Sequence, residues 1–143
     1  MFEVIYDWAG KLRTVEVSKG TTSFARWEHL STSLDALFEE LKEDNYLMTT
    51  YFEEFVKLLA HYCGELIVIH PFREGNGRAI RTFLAMLAES IGWHIAWDEM
   101  DLQENIDASI AAYNEDEEPT RRMLTKFVTP IDIFWGRDPY EFI

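Results

Sequence analysis

Hydrophobic and polar positions change their period along the chain, and each change predicts an element. Phe2, Val4, Tyr6 and Trp8 alternate as one face of a strand does, and Ala9-Gly10 offers a turn. Val15 and Val17 alternate again before Ser18-Lys19-Gly20, which predicts a hairpin-like element over residues 13–24. Helical spacing then takes over: Leu30, Leu34, Leu37, Phe38 and Leu41 form one stripe within a helix over 27–46.

The next helix is the best defined. Thr50 and Glu53 stand at the spacing of a capping box. Behind them Phe52, Phe55, Val56, Leu59, Cys63, Leu66 and Ile67 recur every three or four residues, which predicts a buried face. Pro71 disfavours helical geometry at His70, so the helix stops there. A further helix is expected to begin within or just after Gly75-Asn76-Gly77. Ile80, Phe83, Leu84, Leu87 and Ile91 form its apolar stripe, and Gly92 is its stop signal. Two more helices are predicted over about 101–113 and 119–128, separated by the acidic loop "NEDEEP", with Pro119 in a first helical turn. The tail after Pro130, "IDIFWGRDPYEFI", is too aromatic to stay solvated and is expected to cover apolar surface. With no repeat, linker or low-complexity stretch, residues 1–143 read as one mainly α-helical domain with a small β-hairpin near its N-terminus.

Composition sharpens this picture. A hydrophobic content of 48% suits a packed chain, and no apolar run nears the ~18 residues of a membrane span. Met1 to Gly10 has two acids and no base, unlike a secretion signal, and a single cysteine, Cys63, cannot form an internal disulfide. A cytoplasmic protein is expected, although a secreted effector without a classical signal would look the same. The formal charge of −13 argues against a general nucleic-acid binder, which needs cations to displace phosphate counterions. Yet Arg73, Arg78 and Arg81 fall within nine residues, which suggests a pocket for a compact anion.

Those arginines belong to "HPFREGNGRAIR", residues 70–81. Free amides at a helix start form an anion site, and glycines let the backbone approach closely. Arg78 and Arg81, three apart, share a helix face and can bond phosphate oxygens. Glu74 is the hard oxygen ligand that magnesium takes beside a polyphosphate. His70 can serve as a general base near neutral pH. Together they describe transfer of a phosphorus group to a hydroxyl. The Walker Gly-Lys-Ser/Thr is absent, Ile80 stands where a dinucleotide fingerprint needs its third small residue, and no zinc-ligand pattern occurs.

The stretch resembles the signature of Fic-domain proteins, His-Pro-Phe-x-Asp/Glu-Gly-Asn-Gly-Arg-x-x-Arg, at all nine specified positions. "YDWAGKLRTVEVSKGTTSF" is similar to the family's segment entering its substrate-positioning flap, and similarity extends to roughly Val128. The resemblance implies a compact Fic-type helical bundle and AMP transfer from ATP to a Ser, Thr or Tyr hydroxyl of a target protein. His70 would take the hydroxyl proton, and Glu74 would bind Mg2+. Gly75, Asn76 and Gly77 would form the anion hole, with Asn76 also fixing the α-phosphate. Arg78 and Arg81 would engage the outer phosphates. Phe72 would anchor the loop in the core, and Lys19 and Gly20 match a flap position lying against the nucleotide. The flap would hold the target by backbone pairing.

Two departures are visible. The resemblance implies that several dozen residues forming early helices in homologues are missing before Phe2, so a truncated or minimal version is expected, with the aromatic tail covering the surface those helices would cover. The inhibitory Ser/Thr-x-x-x-Glu-Gly/Asn pattern is also missing: only Thr49/Glu53 and Thr50/Glu54 have the spacing, and Glu54 and Phe55 follow them. Restraint would come from a separate antitoxin, as in a toxin–antitoxin pair, from the missing N-terminal part, or from neither. Family members that transfer UMP, phosphocholine or phosphate, and a silent nucleotide- or partner-binding module, are the alternatives. Elsewhere His61 and Glu65 read as an exposed polar pair, Cys63 as an inert core thiol, and Trp27, Trp93 and Trp97 as core or rim packing.

Overall fold

The computed structural model describes residues 10–49 and 51–131. The alternation at Phe2 to Trp8, Thr50 of the expected capping box, and the tail from residue 132 lie outside them. The described chain opens with a hairpin, β1 (Ser18–Lys19) and β2 (Thr22–Ser23). Ser18 pairs with Ser23 and Lys19 with Thr22, leaving a two-residue loop. Gly20, first in that loop, has φ +61°, the position where a tight hairpin turn favours glycine. The ladder is shorter than the 13–24 expected: beyond it Val17 O accepts a long bond from the Phe24 N–H at 3.4 Å, and further out the Arg13 side chain holds Val15.

Five helices follow: α1 (Leu30–Glu43), α2 (Phe52–Ile69), α3 (Asn76–Ser90), α4 (Leu102–Tyr113) and α5 (Glu118–Phe127). The segment expected as one helix over 27–46 starts with a 3-10 turn and ends at Glu43. Asn45, Tyr46 and Leu47 then take left-handed backbone, with φ 52°, 54° and 64°. Helix α2 has no side-chain cap at Tyr51; the Thr49 hydroxyl instead accepts the Tyr51 N–H at 3.2 Å and bonds Glu54 at 3.2 Å.

The apolar stripe of α2 is the hub. It packs against α1, α3, α4 and α5, burying Phe55, Val56, Leu59, Tyr62, Cys63 and Leu66. Tyr62 donates its hydroxyl to Asp44 Oδ2 at 2.5 Å, so a polar atom enters the core with a partner. Burial pushes the Cys63 thiol up to about 12, which makes it the inert core residue expected. Phe38 departs from its expected stripe: it is 44% exposed, edge-on to Phe83.

One sheet had no clear sequence signal. Strand β3 (Trp93–Ile95) pairs antiparallel with β4 (Val128–Pro130), and Ile131 donates to the Gly92 carbonyl at 2.9 Å. Three-residue strands hold too few positions for alternation to be recognised, and their partners lie far apart in sequence. The pairing buries Trp93, whose ring stacks on Phe55 with centroids 5.3 Å apart. Among the described residues no helix is long and apolar enough to cross a membrane.

Phe55 has no solvent exposure, so Phe55→Ala should cost about 3–5 kcal/mol in urea unfolding, whereas Phe38→Ala should cost under about 1 kcal/mol. Equal losses at the two positions would contradict this core assignment.

Candidate active site

Helix α2 ends at His70, which takes left-handed backbone with φ 47° and ψ 65° while its N–H still bonds Leu66 at 2.9 Å. This geometry costs a residue with a Cβ roughly 1–2 kcal/mol and persists only where neighbours over-determine it. The neighbour responsible is Arg13, only 2% exposed and invisible to motif reading. Its Nε donates to the His70 carbonyl at 2.7 Å and its Nη2 to the Ile69 carbonyl at 3.1 Å. The same guanidinium bonds Val15 at 2.9 Å and Ala25, carbonyls on the two legs of the hairpin. The Arg13 N–H adds a bond to Pro71 O at 3.0 Å, and Ala25 N–H one to Val68 O at 3.0 Å. A cation at a helix C-terminus also meets the negative end of its dipole. Burial lowers the Arg13 pKa, with Glu16 opposing, yet a guanidinium stays charged.

The hairpin therefore sits over the end of α2. Phe24, one residue beyond β2, stacks on the His70 ring with centroids 3.7 Å apart and planes 6° from parallel. Tyr113, the last residue of α4, meets Phe24 edge-on at 6.1 Å and donates its hydroxyl to Ser23 O. Burial, followed by the charges of Arg13 and Lys19, pushes the His70 imidazole down to about 4; a bond with the Ile67 backbone opposes them. His70 is thus neutral at pH 7, the form that accepts a proton. Lys19 lies near enough to His70 for its charge to contribute, and Lys19 and Gly20 are both exposed on the hairpin.

The loop from Phe72 closes onto α3 through Asn76, which is 4% exposed. Its Oδ1 accepts the Phe72 N–H at 2.8 Å and its Nδ2 donates to the Phe72 carbonyl at 2.7 Å. Sequence reasoning set this side chain toward a phosphate; the structure adds that it closes the loop. Gly75 is the N-cap residue at φ 76° with no side-chain cap, and the first bond of the turn runs from Ala79 N–H to Gly75 O. The amides of Asn76, Gly77 and Arg78 thus have no helical acceptor. Gly77 leaves room for Arg81: a Cβ there would stand 3.1 Å from Arg81 Nη1. Arg78, Arg81 and Glu74 are exposed, and none forms an ion pair among the described residues. An exposed carboxylate beside the free amides of a helix start suits Mg2+, which takes one or two carboxylates along with phosphates and water. Phe72 differs from expectation. It is only half-buried and lines an apolar groove of about 300 Å³ with Leu34, Phe38, Leu66 and Phe83.

A family model described as Fic/DOC family matches residues 1–88. The chain belongs to that family. Protein adenylyltransferase VbhT of Bartonella schoenbuchensis is 38% identical over 131 residues, covering 89% of this chain and 27% of VbhT. "Probable protein adenylyltransferase Fic" of Salmonella typhimurium is 40% identical over 97 residues, covering 68% of this chain and 48% of that protein. The chain thus spans from about a quarter to about half the length of these curated relatives. Among solved structures, the N-terminal Fic domain of a Bartonella quintana VirB-translocated Bep effector with bound ADP superposes with a TM-score of 0.80 at 24% identity, covering 90% of this chain and 68% of that chain. The Bartonella tribocorum BepC structure with bound AMPPNP gives 0.77 at 23% identity, covering 87% of this chain and 67% of that one. The mainly α Fic fold with its small hairpin is therefore the fold of this chain.

Arg13→Lys keeps a charge but loses the fork that spans four carbonyls. It should cost about 2 kcal/mol, a fall of roughly 8 °C in Tm by calorimetry, and an unchanged Tm would contradict the bridging role.

Proposed function

We propose that this Fic-family chain is a protein adenylyltransferase domain, transferring AMP from ATP to a Ser, Thr or Tyr hydroxyl of a target protein. The observation carrying this reading is the juxtaposition of a neutral, half-buried His70 with the uncapped start of α3 and its exposed arginines. The relatives named as adenylyltransferases and the adenine nucleotides in the two Bartonella structures support the donor.

In this scheme the target hydroxyl loses its proton to His70 as its oxygen bonds the α-phosphorus. The bond from that phosphorus to the β-bridging oxygen breaks, and pyrophosphate leaves. The free amides from Gly75 to Arg78 hold non-bridging oxygens, worth most where they are rigid before the substrate arrives. Arg78 and Arg81 draw the outer phosphates. Glu74 would hold Mg2+, which would supply positive charge to offset that of the phosphates. Lys19 and Gly20 flank the nucleotide from the hairpin, whose backbone receives the target segment. ATP as donor implies a cytoplasmic setting. Glu53 and Glu54 occupy the first turn of α2, the helix leading to His70, and an inhibitory helix supplied in trans by a separate antitoxin is one source of restraint open to this domain. A proton-accepting group at the correct place contributes about 10²–10⁴-fold in rate.

With labelled ATP, Mg2+ and bacterial lysate, the protein should label itself or a lysate protein, and His70→Ala should lower transfer at least about 10²-fold. Equal labelling by the variant would overturn the reading. The depressed His70 pKa also fixes the sign of the pH dependence: the accepting form persists down to about pH 4, so transfer should hold between pH 7.5 and 5.5. An ordinary imidazole near 6.5 would lose about tenfold over that interval, and such a loss would refute a depressed base.

A further inference from the structure

Outside the phosphate site, the described residues bring one imidazole and several carboxylates together from three parts of the chain. His61 lies nine residues before His70 on α2, which at ~1.5 Å per residue separates them by about 13 Å. Its Nε2 stands 2.8 Å from Glu40 Oε1 of α1. Its Nδ1 stands 3.1 Å from Glu117 Oε1, in the acidic loop before α5. Glu65, one turn further along α2, supplies a third donor: ligand atoms of His61, Glu65 and Glu117 all lie within 4.8 Å of one another. Sequence spacing had read His61 and Glu65 as an exposed pair; the fold gives His61 two partners distant in sequence.

We propose that His61 Nδ1, Glu65 and Glu117 bind a divalent first-row transition metal ion of the Zn2+ type, with Glu40 orienting the imidazole. Donors around one such ion at ~2.0–2.2 Å stand roughly 3–4.3 Å from each other, so the observed spacing closes on an ion by small side-chain rotations. The tautomer matters. When Nε2–H donates to Glu40, Nδ1 turns its lone pair toward an anionic oxygen of Glu117, and a cation between them converts that repulsion into coordination. A ligating histidine held through its other nitrogen by a carboxylate is the usual outer arrangement of a metal site. One imidazole with carboxylates suits Zn2+ and its neighbours better than Mg2+, which prefers oxygen alone. The two ligand carboxylates balance the ion's charge, and a water completes four-coordination. The ion would tie the middle of α2 to the junction between α4 and α5. Tyr113 holds the hairpin from the end of α4, so this is a structural site one helix end away from the flap.

Chelator-stripped protein, without nucleotide, should bind ZnCl2 saturably at one equivalent by calorimetric titration, with a rise in Tm. Glu65→Gln and Glu117→Gln keep side-chain volume and should each weaken binding at least about tenfold; Glu40→Ala should weaken it about 10–100-fold by freeing the imidazole. Glu74→Gln, at the separate carboxylate of the phosphate loop, should leave zinc affinity and the Tm rise unchanged. Absence of saturable binding would overturn the proposal and leave His61 as a bridge between carboxylates. Binding undiminished in both ligand variants would overturn it equally, since the zinc would then sit elsewhere.

Discussion

One buried guanidinium holds the functional end of this molecule together. The C-terminus of α2 leaves carbonyls without helical donors, and the hairpin legs leave more. Arg13 satisfies both sets at once, bonding Ile69 and His70 on one side and Val15 and Ala25 on the other. A planar fork with five N–H donors can do this, whereas an ammonium group cannot. No carboxylate shares the interaction among the bonds described, so the charge is stabilised by oriented carbonyl dipoles, which take four of its five N–H donors.

The catalytic proposal depends on that constraint through geometry. His70 occupies backbone space unfavourable to a side chain, and Pro71 prevents the helix from simply continuing. With its carbonyl fixed by Arg13 and its ring covered by Phe24, the imidazole has little freedom and little water. Both effects work toward a neutral base. On the other wall, Asn76 spends its amide closing the loop from Phe72, which leaves main-chain amides, not its side chain, as the foremost donors to an anion. The two walls are rigid for different reasons, one through a cation and one through a neutral amide pair.

The relatives place this chain in the Fic/DOC family. The groove beside the motif loop, lined by Phe72, Phe38 and Phe83, leaves aromatic surface open there. The cluster at His61 ties α1, α2 and the α4–α5 junction on a separate side of the helix hub. Electrostatics is thus divided within one acidic chain: scarce cations gather where phosphates are expected, and carboxylates converge on a single imidazole elsewhere.

Much of this was legible in the sequence because it is local. Three- and four-residue apolar spacing located the helices α1, α2 and α3, the acidic loop and Pro119 marked the junction of α4 and α5, and the proline and glycines located the break between α2 and α3. The motif named His70, Glu74, Arg78 and Arg81 because their types and spacing are themselves the chemistry. What sequence could not reveal depends on partners distant along the chain. Arg13 looks like any surface arginine until Ile69 and His70 are folded against it. His61 looks exposed until Glu40 and Glu117 arrive, and β3 has no signal until β4 pairs with it. Periodicity and motif spacing are properties of neighbours, so the sequence alone determined the helices, the break between α2 and α3, and the candidate site residues. Which carbonyls a buried cation satisfies, and how far burial lowers a base, are properties of packing, and only the tertiary structure decided them.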